Sequence, residues 1–272
     1  MERDEIYLFD LWRILRREWK WCAAALLLAL VATYAFAHLA RRQWEATAWI
    51  QIGQVGPAPS GQDPKVEPLL RVIERLQTTA FQADVMRSVG LAPDAPEAKL
   101  YHRSMKLEPM PYAGPMVRLS VRAYSPQQAR QLAQATADRL RAIHRAIAAA
   151  PLSLARTRLD EVQAELKNAL AERDRLLQAA DGNDAGAKAP PLAGVLLAGM
   201  SEDIRNLQMQ RNDLLMRLSA NYTYETFLPW PVYVPEGQAF PNPAITWGIG
   251  LLAGLCLGMF AAVARNATRR MR

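Results

Sequence analysis

Apolar and polar residues are dealt unevenly along this chain. Two stretches, Trp21–Ala40 ("WCAAALLLALVATYAFAHLA") and Ile245–Ala264, run for about 20 residues without Asp, Glu, Lys or Arg. A helix of that length crosses ~30 Å of hydrocarbon. Between them the pattern changes several times. "WEATAWIQI", Trp44–Ile52, is rich in strand formers, and the Gly/Pro-rich stretch from Gly53 to Pro64 reads as a loop. Leu69, Val72, Ile73 and Leu76 then recur at helical spacing, and "TTAFQADVMRSVGL" predicts a second short helix that Gly90 can end. In "MVRLSVRAY", Met116–Tyr124, Val117, Leu119, Val121 and Ala123 alternate with Arg118, Ser120 and Arg122, the mark of a strand with one buried and one wet face.

Long helices follow. Ser125 can cap a helix whose first turn holds Pro126, with Gln128 placed three residues on to reach back. This helix is expected to run to about Ala150, where Pro151 permits a bend or a break. From Leu152 a heptad seam begins: Ala155, Leu159, Val162, Leu166, Ala169, Arg173, Leu176 and Ala180. The loop Asp181–Gly194 interrupts it, and Leu197, Met200, Ile204, Leu207, Arg211, Leu214 and Leu218 resume it. The two runs predict an antiparallel helical hairpin, with Arg173 facing Glu202 and Arg211 facing Glu165 if the loop centre is the fold point. "PVYV", Pro231–Val234, can return the chain to the sheet. The fold class is thus α+β: an α/β base with a projecting hairpin, between two transmembrane helices.

Charge orients the spans. Residues 1–20 carry five basic and five acidic residues, the tail after the second span carries four arginines, and the outer flank of the first span has only Arg41 and Arg42. Both ends therefore read as cytoplasmic, with the intervening 200-odd residues across the membrane. The arm "IYLFDLWRILRREWKW" reads either as a short helix lying on the inner leaflet or as an extension of the first span. "AFA" at Ala35–Ala37 resembles a signal-peptidase site, but the long n-region and long apolar run favour an uncleaved anchor. The net charge of +7 falls mostly on the membrane flanks, so no basic face for nucleic acid is evident. Cys22 and Cys256, the only cysteines, lie at or within the spans and cannot staple the external part.

Candidate chemistry is sparse. His38, His102 and His144 lie in no metal-ligand spacing, and neither a phosphate-cradling loop nor a nucleophile elbow occurs. The carboxylates alternate with basic residues as on solvated helix faces. No catalytic, cofactor or metal residue is assigned, and an enzyme is not expected. What stands out is architecture. Gly250, Gly254 and Gly258 line one face of the second span, where a missing side chain lets another helix approach, either the first span or a neighbouring protomer.

These elements resemble the Wzz-type chain-length determinants, or polysaccharide co-polymerases. The likeness rests on the N-terminal arm, "WEATAWIQI", the strand–helix "VRLSVRAYSPQQARQLA", and "PEGQAFPNP" leading into "GIGLLAGLCLGMF". It places Pro235, Pro241, Pro243, Gly250, Gly254 and Gly258 in the family's C-terminal motif. The resemblance implies a Gram-negative inner-membrane protein with its main domain in the periplasm. It also implies a ring-like homo-oligomer that acts with the membrane-embedded polymerase joining lipid-linked glycan units, without performing the polymerisation. The chain is short for the O-antigen branch and lacks the fused kinase of the exopolysaccharide branch. A capsule-export assembly protein and a two-span periplasmic sensor or adaptor are the competing readings. The expected layout is an arm (1–20), span (21–40), periplasmic base (41–124), long helices with hairpin seam and tip (125–221, tip 181–194), return strand and proline-rich segment (222–244), span (245–264) and cytoplasmic tail (265–272).

Overall fold

The computed structural model describes residues 16–17, 19–56, 64–110, 114–181 and 191–270. Most of the arm 1–20 and most of the expected hairpin tip lie outside the described residues. The elements, in order, are α1 (Trp19–Leu39), β1 (Trp44–Gln51), α2 (Leu69–Gln77), α3 (Thr79–Ser88), α4 (Pro96–Ser104), β2 (Lys106–Met110), β3 (Met116–Ala123), α5 (Pro126–Asp181), α6 (Pro191–Leu218) and α7 (Pro243–Arg270). Among the described residues the fold is mixed and helix-rich, with two membrane-length helices and one small sheet of strand order β1-β3-β2.

The chain divides into two compact units. The first comprises Met1–Ala46, Arg122–Ala129 and Val234–Arg272 and includes α1 and α7; the second comprises Thr47–Val121 and Arg130–Tyr233. In the second unit the even-numbered residues of β1, Ala48 and Ile50, are buried with Val117, Leu119 and Val121 of β3. Val72 and Leu76 of α2, Phe81 and Val85 of α3, Tyr101 of α4 and Leu132 and Leu140 of α5 are buried as well. Local chemistry fixes the helix ends. Thr78 Oγ1 accepts the Phe81 N–H at the start of α3. At its end Gly90 takes φ +74°, its N–H bonds Arg87 O, and the Leu91 N–H bonds Met86 O, the six-to-one pattern that needs a left-handed residue. Ser125 Oγ caps α5 through the Gln128 N–H at 3.1 Å.

Two elements were not expected. β2, "KLEPM", contains a proline and few strand formers, yet pairs antiparallel with β3 from Lys106↔Ser120 to Met110↔Met116. It exists because β3 offers an edge, an override of local preference by pairing. α4, with Pro96 at its first position, precedes it. The helix expected to stop near Ala150 does not: α5 is continuous through Pro151. The apolar stripe carries on across that point, with Ala148 buried and Leu152 half-buried, so packing outweighs the bond that proline forfeits. α6 begins at Pro191, inside the expected loop. The return segment is not a continuous strand. It touches β1 and the residues after it through single bridges, Thr47↔Tyr233, Gln51↔Phe227 and Gln54↔Tyr224, because its prolines remove ladder donors.

The hairpin positions fall on one stripe of each helix. On α5 Val162 is fully buried, Leu166 is buried and Leu159 is half-buried; on α6 Ile204 is buried while Leu197 and Leu207 are half-buried. Leu152 and Arg156 of α5 and Leu218 of α6 line one cavity, so the end of α6 stands beside the α5 turn that follows Pro151. The expected partner of Arg173 is not the one it takes: its guanidinium bonds its neighbour Asp174 at 2.7 Å.

Candidate functional site

α1 and α7 pack along one another in the first unit. A Cβ added at Gly254 would meet Leu26 Cδ1 at 2.8 Å and Ala29 Cβ at 3.1 Å; one at Gly258 would meet Cys22 Sγ at 2.8 Å and the Cys22 carbonyl at 3.0 Å. At Gly250 the obstacle is the Thr33 side chain. As α7 advances from Gly250 to Gly258, its neighbour on α1 retreats from Thr33 to Cys22, so the helices are antiparallel. The stripe continues to Ala262, which is buried, giving a small residue every fourth position from Gly250. Gly248 faces open space. Close approach of this kind supplies van der Waals contact in lipid, where apolar burial gives no preference for protein over solvent.

The ends of the pair are marked. Arg265 lies over the Trp21 ring, 5.3 Å from its centroid, and Phe36 meets Phe240 edge to face at 6.2 Å. Between Phe240 and α7 stands the proline-rich joint. Pro241 is buried, and its carbonyl accepts from Gln238 Nε2 at 2.9 Å. Asn242 Oδ1 accepts the Ala244 N–H at 3.1 Å, and Pro243 fills the first helical position, the preferred helix start. Pro235 is half-buried in the loop before. Gln43 closes the joint, exchanging backbone bonds with Phe240 and Ala239.

The second unit holds a buried polar cluster. Glu67 is 3% exposed, and its two oxygens accept from Arg75 Nε at 2.9 Å and Nη2 at 2.7 Å. His144 on α5, 2% exposed, sets Nε2 3.3 Å from Glu67 Oε2 and Nδ1 2.5 Å from Thr226 Oγ1. Thr226 Oγ1 also accepts the Gly53 N–H at 2.9 Å. Burial opposes the Glu67 charge, but the bonds and charge of Arg75, joined by His144, outweigh it and hold its pKa below the ordinary carboxylate value. Burial likewise pushes the His144 pKa below normal, against the pull of Glu67. A neutral imidazole fits one proton arrangement. Nε2–H donates to the carboxylate, and Nδ1 accepts from the Thr226 hydroxyl, whose remaining lone pairs take the Gly53 N–H. The buried donors of His144, Thr226 and Gly53 then each have an acceptor, and the cluster ties α2, α5, Gly53 and the return segment together.

Gly53 makes this approach possible. A Cβ there would lie 2.7 Å from Thr226 N and 2.8 Å from Tyr224 O, backbone atoms that cannot step aside. The cluster reads as a structural tie: its groups saturate one another, and among the described residues no three His, Cys, Asp or Glu side chains converge as a metal site.

Residues 4–91 match the family model described as "Wzz: Chain length determinant protein". Over this N-terminal region, about a third of its length, the chain is similar to the Wzz family. The Wzz match spans α1, β1, α2 and α3, and with them the Gly53, Glu67 and Arg75 members of the cluster. No curated protein sequence matches the chain. Among solved structures, the chain is similar to one described as a full-length bacterial polysaccharide co-polymerase, with 16% identity, coverage of 97% of this chain and 99% of that chain, and a TM-score of 0.44. It is also similar to a fragment of WzzB, a polysaccharide co-polymerase from Salmonella Typhimurium, at 12% identity, 73% and 100% coverage, and a TM-score of 0.29.

Glu67, Arg75 and Thr226 stand in no motif, and His144 stands in no metal-ligand spacing. One signal was available. Leu132, Thr136, Leu140, His144 and Ala148 recur every fourth residue, so His144 occupies a core position of α5 and required a buried partner.

Proposed function

We propose that this chain is a non-catalytic regulator of surface polysaccharide length, of the O-antigen or a related type. It is held in the inner membrane by α1 and α7, with both termini cytoplasmic and residues 41–244 in the periplasm. It works as a ring-like homo-oligomer that gathers the polymerase joining lipid-linked repeat units. The observation that carries this reading is the Wzz match over residues 4–91, which covers the first span and the strand that follows it. The antiparallel Gly250, Gly254 and Gly258 face supports it from the other end of the chain: it pairs the spans and brings Trp21 beside Arg265. Both flanks of that end are arginine-bearing, which favours the cytoplasmic side.

In this role the chain needs rigidity more than reactivity. The saturated cluster around Glu67 stiffens the base, and the continuous α5 projects the hairpin without a joint at Pro151. The test is deletion of the gene followed by electrophoresis of the surface polysaccharide. The modal length is expected to be lost and restored by the gene in trans. An unchanged ladder in the deletion strain overturns the proposal.

A further inference from the structure

One face of the small sheet is core; the other is not. The odd-numbered residues of β1 point away from the core, and Thr47, Trp49 and Gln51 are only half-buried. Bridge partners share a face across a sheet, so Tyr233 opposite Thr47 and Phe227 opposite Gln51 extend this outer face. Trp230 joins them through an edge-to-face contact with Trp49 at 5.9 Å and 82°. Three large rings thus stand in water: Phe227 is 42% exposed, Trp230 52% and Tyr233 58%. Exposed aromatics clustered in this way mark a recognition surface.

The rings are held before any ligand arrives. Trp49 fixes Trp230, and Tyr224 packs edge to face on Phe227 at 6.3 Å and 85°. Hydroxyl and amide groups share the face: Thr47 Oγ1 and Ser120 Oγ are 3.4 Å apart, and Gln51 Nε2 reaches the Tyr224 hydroxyl at 3.5 Å. These are long, weak contacts, which a ligand hydroxyl can replace. Pro229 and Pro231 break the outer edge, so another strand cannot be added there and recognition falls to side chains.

We infer that this outer face binds an oligosaccharide, with Phe227, Trp230 and Tyr233 stacking on the apolar faces of sugar rings and Thr47, Gln51 and Ser120 bonding their hydroxyls. A sugar chain alternates apolar ring faces with hydroxyl rims, and the face sets flat rings beside small neutral hydrogen-bonding groups, with the Arg118–Glu108 ion pair also on the outer side of β3. A second copy of the chain would instead favour a contiguous apolar patch. The inference rests on the polysaccharide reading and adds where the glycan is held.

The test uses full-length protein in detergent and, as probe, oligosaccharide released by mild acid from the surface polysaccharide of the cell that makes it. Tryptophan fluorescence is expected to change saturably. Tyr233→Ala weakens the apparent affinity tenfold or more, and Trp230→Ala abolishes most of the signal change. Trp230→Phe, read by calorimetry, keeps affinity within about threefold of wild type. No saturable binding, or binding that Tyr233→Ala leaves unchanged, overturns the inference. So does a Trp230→Ala variant whose particle mass falls while its sugar affinity is kept, since the face is then a contact between copies. The deletion ladder separates the two claims: a ladder lost on deletion with no binding here leaves the length-regulator reading standing and removes only this site.

Discussion

Along the α1–α7 pair the deciding positions are small or have no side chain at all, whereas at the Glu67 cluster they are large and polar. Gly250, Gly254 and Gly258 hold their partner by shape and make no directional bond. Glu67, Arg75, His144 and Thr226 hold theirs by directed bonds between groups that burial would otherwise penalise. The first arrangement tolerates a change of chemistry but not of size. The second tolerates little change of chemistry, because each member leaves its neighbours unpaired when it goes. Each suits its surroundings. Lipid offers no hydrophobic drive between helices, while a small water-exposed domain with a modest sheet can join distant segments through a saturated polar cluster.

The largest effect expected from breaking this contrast is at Glu67. Glu67→Leu removes the acceptor of two Arg75 bonds and of His144 at once. A loss of about 3 kcal/mol is expected, at the low end for a broken buried pair because Arg75 reaches solvent. Denaturant unfolding of the purified protein measures it, and a loss under about 1 kcal/mol would deny the cluster its structural role.

Next comes Gly254→Leu, which places a side chain where Leu26 and Ala29 already stand. Overpacking of this order costs about 1–3 kcal/mol. Titration with SDS is expected to separate the spans earlier while the second unit melts as before. Gly248→Leu faces open space and leaves both transitions in place. Equal behaviour of the two variants would mean that the stepped face carries no packing.

The cluster responds to pH, and Glu67 and His144 act in the same direction. Glu67 is depressed below its ordinary pKa, so its contribution is complete above that ordinary value and is lost as pH falls toward the folded value. His144 is also depressed. Below its ordinary value near ~6.5 the unfolded chain takes a proton that the folded chain refuses, and stability falls with pH. Melting curves from pH 7 to 5 should therefore slope downward, by at most about 1.4 kcal/mol per pH unit for one proton. His144→Gln should flatten that slope, and an unaltered slope would place the titration elsewhere.

The smallest effect is expected at Arg145, whose bond to Glu225 at 2.8 Å joins two exposed side chains near the same cluster. Arg145→Ala should leave the melting temperature unchanged within error, since exposed pairs contribute little. A marked drop would mean that nearness to the cluster, not burial, gives a charge its weight.

What could be read in advance divides along the same line. Periodicity exposed the two long apolar helices and the β3 alternation, because such patterns repeat along the chain. The Glu67 cluster does not repeat. Its members sit 8, 77 and 82 residues apart in their paired bonds, and their residue types are ordinary on a surface. β2 was hidden for a related reason: "KLEPM" owes its state to the neighbouring edge of β3. Pro151 misled in the opposite sense, since a local breaker was overruled by a stripe that continues past it.

The crossing at Gly53 has a consequence in time. Thr47, Gln51, Gly53 and Gln54 are each bonded to residues from Tyr224 to Tyr233, some 170 positions later. Contacts of such sequence separation form slowly, after the cost of closing the loop between them. The sheet's outer edge is therefore expected to stay open through synthesis and to shut only when the stretch just before the second span emerges. Until then the strand that follows the first span waits for its partner.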